Sequence, residues 1–492
     1  MKLRSLLSGC GLRSAVGNPD IDILGVAYDS RRVAPGFVFV AMAGSRADGN
    51  RFVSQAIDRG AVAVISAGAA PEGLPQSVCW TEVADDRGAL ATVAANYFGH
   101  PTRSMHLVGV TGTNGKTTTT YLIEAILRAA GKPAAVFGTI AYRGPGFDFE
   151  AERTTPEASD LEQLFRRVAD AGWKYSVMEV SSHAIELKRV ASLHFEVAAF
   201  TNLSREHLDF HGGMREYFLA KRKLFEGMAG GAPRAMVLNA DDAHFEELRT
   251  IAPERATCYG MGAAADIYPS SHRFGWEGTE AVFVTPLGAI DVRTPLLGTP
   301  NLYNIGAAIG VASALGISAE AIRVGLEMIP SVPGRFEPVH AGQSFRVIVD
   351  YAHTGEALQK VLAFAREVTV GALTVVFGCG GDRDRTKRPV MGEAAVNTAD
   401  RVIVTSDNPR SEDPLAIIRE VVGGLKASAY EIEPDRKKAI RLALMGAKTG
   451  DTVVIAGKGH ETYQLIGTQV LPFDDRAVAR EILNELTAGR NS

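Results

Sequence analysis

The stretch Leu107-Val108-Gly109-Val110, followed by Thr111-Gly112-Thr113-Asn114-Gly115-Lys116-Thr117-Thr118, limits what this chain can fold into more than any other. It reads as a buried strand, a glycine-rich loop and a helix whose apolar positions run on through Tyr121, Ile123, Ile126 and Leu127. In that order the helix start turns N–H groups and a positive dipole toward one point, where phosphate oxygens can sit. Lys116 would reach the β- and γ-phosphates of a nucleoside triphosphate, and Thr117 would offer a hydroxyl to Mg²⁺. Gly112, Thr113, Asn114, Gly115, Lys116, Thr117 and Thr118 are therefore the candidate ATP loop. Val110 stands where the first glycine of G-x-x-x-x-G-K-[ST] belongs, so a glycine-rich turn capping an ordinary helix is the competing reading.

Short β-branched runs separated by helical segments recur at 107–110, 136–140, 177–180, 197–201, 347–349, 373–377, 401–405 and 453–456. The alternation predicts parallel α/β sheets. At 492 residues the chain exceeds what one hydrophobic core supports. Breaks at Phe98-Gly99-His100-Pro101 and Pro330-Ser331-Val332-Pro333-Gly334 divide it into expected domains 1–100, 101–332 and 333–492.

A net charge of −4 gives no long-range attraction to nucleic acid or anionic lipid, so neither partner is expected. Cys10, Cys79, Cys258 and Cys379 lie far apart with no CxxC pair, which argues against a disulfide framework or zinc finger and for a reducing cytosol. Leu7-Ser8-Gly9-Cys10 imitates a lipoprotein cleavage site, but nine residues precede Cys10 and Lys2 and Arg4 interrupt them, so export is not expected. No uninterrupted apolar stretch of about 18 residues predicts membrane insertion.

Glu179, in Met178-Glu179-Val180-Ser181-Ser182-His183, falls at a strand end, where a parallel sheet presents functional groups. It reads either as a Mg²⁺ ligand or as a satisfied strand-end carboxylate. His207 and His211 have zinc-protease spacing, but Leu208 stands where the general-base glutamate is required. Gly378-x-Gly380-x-x-Arg383 lacks the third glycine of a dinucleotide fingerprint, so NAD is not expected. On their own, Lys221-Arg222-Lys223 read as a solvated basic helix face and Asn408-Pro409 as a turn.

Together, GTNGKTTT at 112–119, MEVSSH at 178–183, NLSREHLDFHG at 202–212 and Tyr217 with Lys221 in YFLAKRKLF resemble the Mur ligases. DSRRVAPG from Asp29, NADD from Asn239, NLYN at 301–304, PGRFE from Pro333, VDYAHTGEAL from Val349, FGCGGDRDRTKRP from Phe377, DNPR from Asp407 and GKGHET from Gly457 extend the resemblance along the full chain. It implies a cytoplasmic monomer of three α/β domains: an N-terminal domain binding a UDP substrate, a central P-loop mononucleotide-binding parallel sheet, and a C-terminal Rossmann-like sheet binding an amino acid. The implied reaction adds meso-diaminopimelate to the D-glutamate γ-carboxyl of UDP-N-acetylmuramoyl-L-alanyl-D-glutamate, a peptidoglycan precursor, through an acyl phosphate, with ATP and Mg²⁺. The same reaction with L-lysine is the near alternative, and a P-loop hydrolase or switch the remote one.

By position the resemblance assigns catalytic roles to Lys116, Glu179, His207, Lys221, Arg335 and Asp350. Thr117, Glu179 and His207 would hold Mg²⁺. Lys221 would carry a carbamate, as carboxylysine, because a carboxylate-like oxygen suits a hard cation that an ammonium would repel. Asn301, Asn304 and Arg335 fall near the adenine and phosphates of ATP, and Asp350 is reached when the C-terminal domain closes. Tyr28, Ser30, Ser45, Arg46, Ala47, Thr154, Thr155, Ser181, Leu187 and Arg189 fall at positions for the UDP substrate, with Leu187 standing where a glutamine-like contact is expected. Arg383, Asp407, Asn408, Pro409, Arg410, Gly457 and Glu461 fall at positions for the amino acid. Arg410 argues for diaminopimelate, since a guanidinium grips a second carboxylate with two parallel hydrogen bonds and repels a lysine ammonium. Asp407 and Glu461 would meet the ammonium groups.

Overall fold

The computed structural model describes residues 1–44, 48–275, 278–329, 331–426 and 429–488. Ser45, Arg46 and Ala47, expected near the UDP substrate, lie outside the described residues. The described residues form two compact units, one of Met1–Ser271, Val282–Asp291 and Leu302–Leu326, the other of His272–Ala281, Val292–Asn301 and Glu327–Ser492.

The first unit holds two sheets. The N-terminal one has five strands in the order Leu12–Val16, Cys79–Val83, Ala61–Ser66, Phe37–Ala41 and Gly25–Ala27, with only the first pair antiparallel. Its strands alternate between two cores, Val38, Val40, Ala63 and Ile65 facing one and Phe39, Ala41, Val64 and Trp80 the other.

The central sheet orders eight strands as Ala256–Tyr259, Ala235–Asn239, Val197–Phe200, His106–Thr111, Tyr175–Glu179, Ala134–Phe137, Ala141–Gly144 and Phe147–Glu150. The first six are parallel and the last two antiparallel. His106–Thr111 lies in the middle, with later strands added on both sides of it. That reversal opens a crevice at its carboxyl end, where the glycine-rich loop begins. The apolar run 136–140 stops being a strand at Phe137, because the Thr139 N–H and hydroxyl turn to the Glu179 carboxylate.

In the second unit six strands run in the order Glu337–Pro338, Arg346–Asp350, Thr452–Ala456, Leu373–Phe377, Arg401–Val404 and Glu431–Ile432, parallel except the first pair. Val375, Phe377 and Val454 fill the core on one face, and Val376, Val453 and Ile455 that on the other. Burial on both faces explains why these strands read as continuous apolar runs. Asp350 is the last residue of its strand, and Gly378, Asp407 and Gly457 follow the carboxyl ends of theirs. Among the described residues no helix is long and apolar enough to cross a membrane. All four cysteines are free, and Cys10 is buried.

Candidate active site

The phosphate loop is fixed by close approaches that only glycine permits. At Gly112 (φ +145°) a Cβ would lie 1.9 Å from Thr201 Oγ1, and at Gly115 (φ +88°) 2.3 Å from Asn304 Oδ1. The end of the neighbouring strand anchors the loop: Thr113 N donates to Asn202 O at 2.8 Å, Asn114 N to Asn202 Oδ1 at 3.1 Å, and Thr201 Oγ1 to Asn114 O at 2.6 Å. Lys116 Nζ donates to Gly112 O at 3.0 Å and Thr113 O at 2.7 Å, and helix Lys116–Ala129 buries Thr117 and Thr118.

Glu179 is buried, and both sequence readings of it survive. Its carboxylate accepts hydrogen bonds from Thr117 Oγ1 at 2.9 Å, Thr139 N at 2.8 Å and Thr139 Oγ1 at 2.9 Å, so it is satisfied and also touches the loop threonine. The basic-face reading fails at Lys221. Helix Met214–Glu226 buries Lys221 with Tyr217, Phe218 and Leu224, while Arg222 pairs with Glu226 and Glu247, and Lys223 with Glu186. Lys221 Nζ donates to Gly112 O at 2.8 Å, the same carbonyl that Lys116 uses, and lies 4.5 Å from the Tyr217 ring centre. Burial holds the Lys221 ammonium well below its ordinary range; the Lys116 charge adds to this and Glu206 opposes it.

His207 has φ +57°, and its ring centre lies 4.8 Å from that of His183. Burial lowers its imidazole, against Glu206 and with help from Lys116 and Lys221. Thr117 and Glu179 thus offer two hydrogen-bonded oxygens, His207 an imidazole whose charged form burial disfavours, and Lys221 an amine whose charge burial disfavours, although among the described residues no three His, Cys, Asp or Glu side chains form one cluster. The oxygens of Thr117 and Glu179 are of the kind a hard divalent cation takes.

The positions expected for the UDP substrate gather at the same strand end. Thr155 Oγ1 donates to Glu179 O at 2.9 Å, Ser181 N to Thr155 Oγ1 at 3.2 Å, and Arg189 Nη1 to Thr155 O at 3.2 Å. Thr154 Oγ1 lies 3.2 Å from Thr139 Oγ1, and Leu187 ends the helix Ser182–Glu186 that Ser181 caps. Farther along, Tyr28 OH donates to Asp160 at 2.7 Å and Ser30 Oγ to Gln55 at 2.7 Å. Tyr28, Arg32, Tyr97, Asp160 and Gln163 line a cleft of about 220 Å³.

In the second unit Asp350 accepts from Phe336 N and Ala352 N, both at 2.7 Å, and so fixes the backbone next to Arg335. Burial raises the Asp350 carboxyl and the Arg335 charge opposes the rise. Arg335 stacks 4.7 Å from the Tyr351 ring centre. Asn301 Nδ2 donates to Leu297 O at 2.8 Å in this unit, whereas Asn304 belongs to the first.

Arg383 and Arg410 both pass close to one glycine turn. A Cβ on Gly380 would lie 2.8 Å from Arg410 Nη1 and 3.9 Å from Arg383 Cγ, and Arg410 Nη1 donates to Gly381 O at 2.8 Å. Asp407 Oδ2 would lie 2.7 Å from a Cβ on Gly457 (φ +114°), which accounts for that glycine. Asn408 Nδ2 donates to Glu461 Oε2 at 2.8 Å, and Asn408 and Pro409 are both buried. Burial raises the Glu461 carboxyl, while Lys458 pulls it down.

Three supporting groups escaped the sequence reading. Thr139 binds both Glu179 oxygens. Lys458, fully buried, donates to Asn408 Oδ1 at 3.0 Å and Glu461 Oε2 at 3.1 Å. Arg436 pairs through two nitrogens with buried Asp475, at 2.8 and 2.7 Å, and donates to Ser406 O and Ala456 O, just before Asp407 and Gly457. A lysine one residue beyond the apolar run 453–456, after Gly457, was a usable signal for Lys458. Arg436 had none, because its partners are distant in sequence.

Comparison with known proteins bears on the family and the fold. The family described as Mur ligase, catalytic domain, matches residues 22–107, the Mur ligase middle domain 110–312, and the Mur ligase glutamate ligase domain 334–459. A UDP-N-acetylmuramoyl-L-alanyl-D-glutamate–2,6-diaminopimelate ligase of Solibacter usitatus is 48% identical over 94% of each chain. One of the same name from Syntrophomonas wolfei is 45% identical over 98% of this chain and 99% of its own. A solved structure of such a ligase, 31% identical, superposes with a TM-score of 0.72 over 99% of both chains. MurF ligase from Thermotoga maritima in complex with ADP, 21% identical, shares the fold with a TM-score of 0.62 over 94% of this chain and 98% of its own. With three family domains matched in order and relatives this similar over almost the whole length, the chain belongs to the Mur ligase family.

Proposed function

We propose that the protein joins meso-diaminopimelate to the D-glutamate γ-carboxyl of UDP-N-acetylmuramoyl-L-alanyl-D-glutamate, as a cytoplasmic monomer in peptidoglycan precursor synthesis. It is an ATP-dependent amide ligase that requires Mg²⁺. The γ-phosphoryl of ATP passes to the substrate carboxylate, giving ADP and an acyl phosphate. The amine of the incoming amino acid then attacks the acyl carbon, and phosphate leaves as the amide forms.

The chemical difficulty is that two anions must meet, so fixed positive charge and preorganised dipoles carry most of the catalysis. Lys116 and the amides of the loop meet the phosphates. Thr117, Glu179, His207 and Lys221, the last as its carbamate, would hold Mg²⁺, which when bound neutralises phosphate charge. Burial favours the uncharged Lys221 amine, the form that adds CO₂, which supports that role. Arg335 is assigned to the ATP phosphates, and Asp350 to the site completed when the C-terminal domain closes. Thr154, Thr155, Ser181 and Arg189 are assigned to the dipeptide, and Tyr28 and Ser30 to the uridine end. Residues 1–100, 101–332 and 333–492 serve the UDP substrate, ATP and the amino acid respectively.

The observation that carries the choice of amino acid is the Arg410 guanidinium, set beside Arg383 at the Gly380-Gly381 turn. Two arginines suit the far carboxylate of diaminopimelate and would repel a lysine ammonium. The test is to supply ATP, the nucleotide dipeptide and each amino acid in turn and weigh the product. Diaminopimelate should be joined at least about a hundredfold more efficiently than lysine; a preference for lysine would defeat the Arg410 argument.

A further inference from the structure

The segment Asp407-Asn408-Pro409-Arg410 is braced by a hairpin with no role in the chemistry above. Strands Tyr463–Ile466 and Gln469–Pro472 pair antiparallel, with Gly467 at φ +59° in the turn. Four hydrogen bonds join hairpin to segment. Gln464 Nε2 donates to Asp407 O at 2.7 Å and Leu465 N to Asn408 Oδ1 at 3.0 Å; Arg410 N donates to Leu465 O at 3.0 Å and Gly467 N to Arg410 O at 2.7 Å.

Core packing does not account for this hairpin. Residues 469–472 are all exposed, including Val470 and Leu471, and Ile466 is exposed at the tip. Its polar contacts instead converge on one tetrapeptide, and two of them take up the N–H and C=O of Arg410. Arg410 has φ +53°, a left-handed backbone that a non-glycine residue adopts only when its surroundings impose it. Released from the hairpin, the backbone would relax to negative φ, and the guanidinium would swing away from Gly381 O. A guanidinium displaced by about an ångström loses its paired grip on a carboxylate.

We propose that the hairpin 463–472 sets amino-acid specificity: Gln464 is a positioning residue, and the Leu465 and Gly467 main chain holds Arg410 in its left-handed conformation. This rests on the reading that Arg410 meets the far carboxylate of the amino acid.

Two substitutions test it in the full-length enzyme. Gln464→Leu removes the donor to Asp407 O at similar volume. Gly467→Val makes the left-handed turn unfavourable without a clash, since nothing lies within 4 Å of a Cβ there, whereas Gly467→Asn tolerates it. KM is measured for ATP, nucleotide dipeptide, diaminopimelate and lysine. In Gln464→Leu and Gly467→Val the diaminopimelate KM should rise, and its kcat/KM advantage over lysine fall, by about tenfold, with the ATP and dipeptide KM within about twofold. Gly467→Asn should stay within about threefold of wild type throughout. An unchanged amino-acid KM and preference in both disruptive variants overturns the proposal, and so does a rise of all KM values together. A wild-type enzyme that prefers lysine, or joins neither amino acid, overturns the reading of Arg410 and this one with it, a failure visible before any variant is made.

Discussion

Around the phosphate loop Lys221 and Glu179 are buried and bonded to the loop itself, whereas Arg383 and Arg410 stand partly or fully exposed beside a glycine turn. In the region proposed for the amino acid the buried charge lies one layer back, in Lys458 and in the Arg436–Asp475 pair, whose Arg436 also bonds the ends of two strands. The contrast follows from the work each region does. Phosphoryl transfer needs charges fixed in a low-dielectric site, where they act most strongly on the transition state. Selection of a zwitterion needs charges that water can reach when the site empties, with their direction set by the backbone. Damage to the first region should therefore appear in kcat, and damage to the second in KM and preference.

The largest effect is expected at the loop. Lys116→Ala should lower kcat, measured by phosphate release, by about 10²–10³-fold or more with little change in the amino-acid KM. A loss confined to KM would break the contrast. Next comes Lys221→Ala, with a fall of about 10²-fold that a small carboxylate such as formate partly restores. Lys221→Arg should not be restored, and the wild-type peptide should carry a CO₂ mass increment when isolated under mild alkali. Arg410→Leu should raise the diaminopimelate KM by about 10–100-fold while kcat at saturation stays within about threefold. A collapse of kcat alone would mean the arginine serves chemistry rather than choice.

The smallest effect sharpens the comparison with a buried carboxyl that belongs to neither region. Glu162 is buried with no hydrogen bond to either carboxyl oxygen, and burial pushes its pKa up to about 8, weakly opposed by Arg103. The folded state therefore holds this proton more tightly than the unfolded chain. The stability it contributes is full below the ordinary value of 4.5 and lost as pH rises through about 8. Glu162→Gln should flatten the Tm-against-pH curve between those values and leave all four KM values alone. A slope unchanged by the substitution would show that the carboxyl is hydrated.

Much of this was legible in the sequence where spacing alone carries the geometry. The runs at 107–110, 373–377 and 453–456 are strands or lie within them, and Gly112 and Gly115 stand where no side chain fits. Glu179 was legible as a strand-end carboxylate, while its place beside Thr117 came only with the family resemblance. Lys221 did not: the pattern Lys-Arg-Lys cannot say which of three cations turns inward, and the helical phase set by Tyr217, Phe218 and Leu224 decides it. Arg383, Arg410 and Glu461 were grouped by the resemblance alone, because they follow three different strands and no spacing in the sequence relates them. The hairpin that holds Arg410 was invisible, because its contacts to 407–410 are made largely by main chain.

The most direct test of the account is the coupling of ATP cleavage to bond formation. Phosphate release and amide product are measured together with ATP, nucleotide dipeptide and diaminopimelate, and again with each omitted. Equal amounts of phosphate and amide, and neither when any one component is missing, are the predicted result. Steady phosphate release without the amino acid and without a new amide would contradict it and make the protein a nucleotide hydrolase.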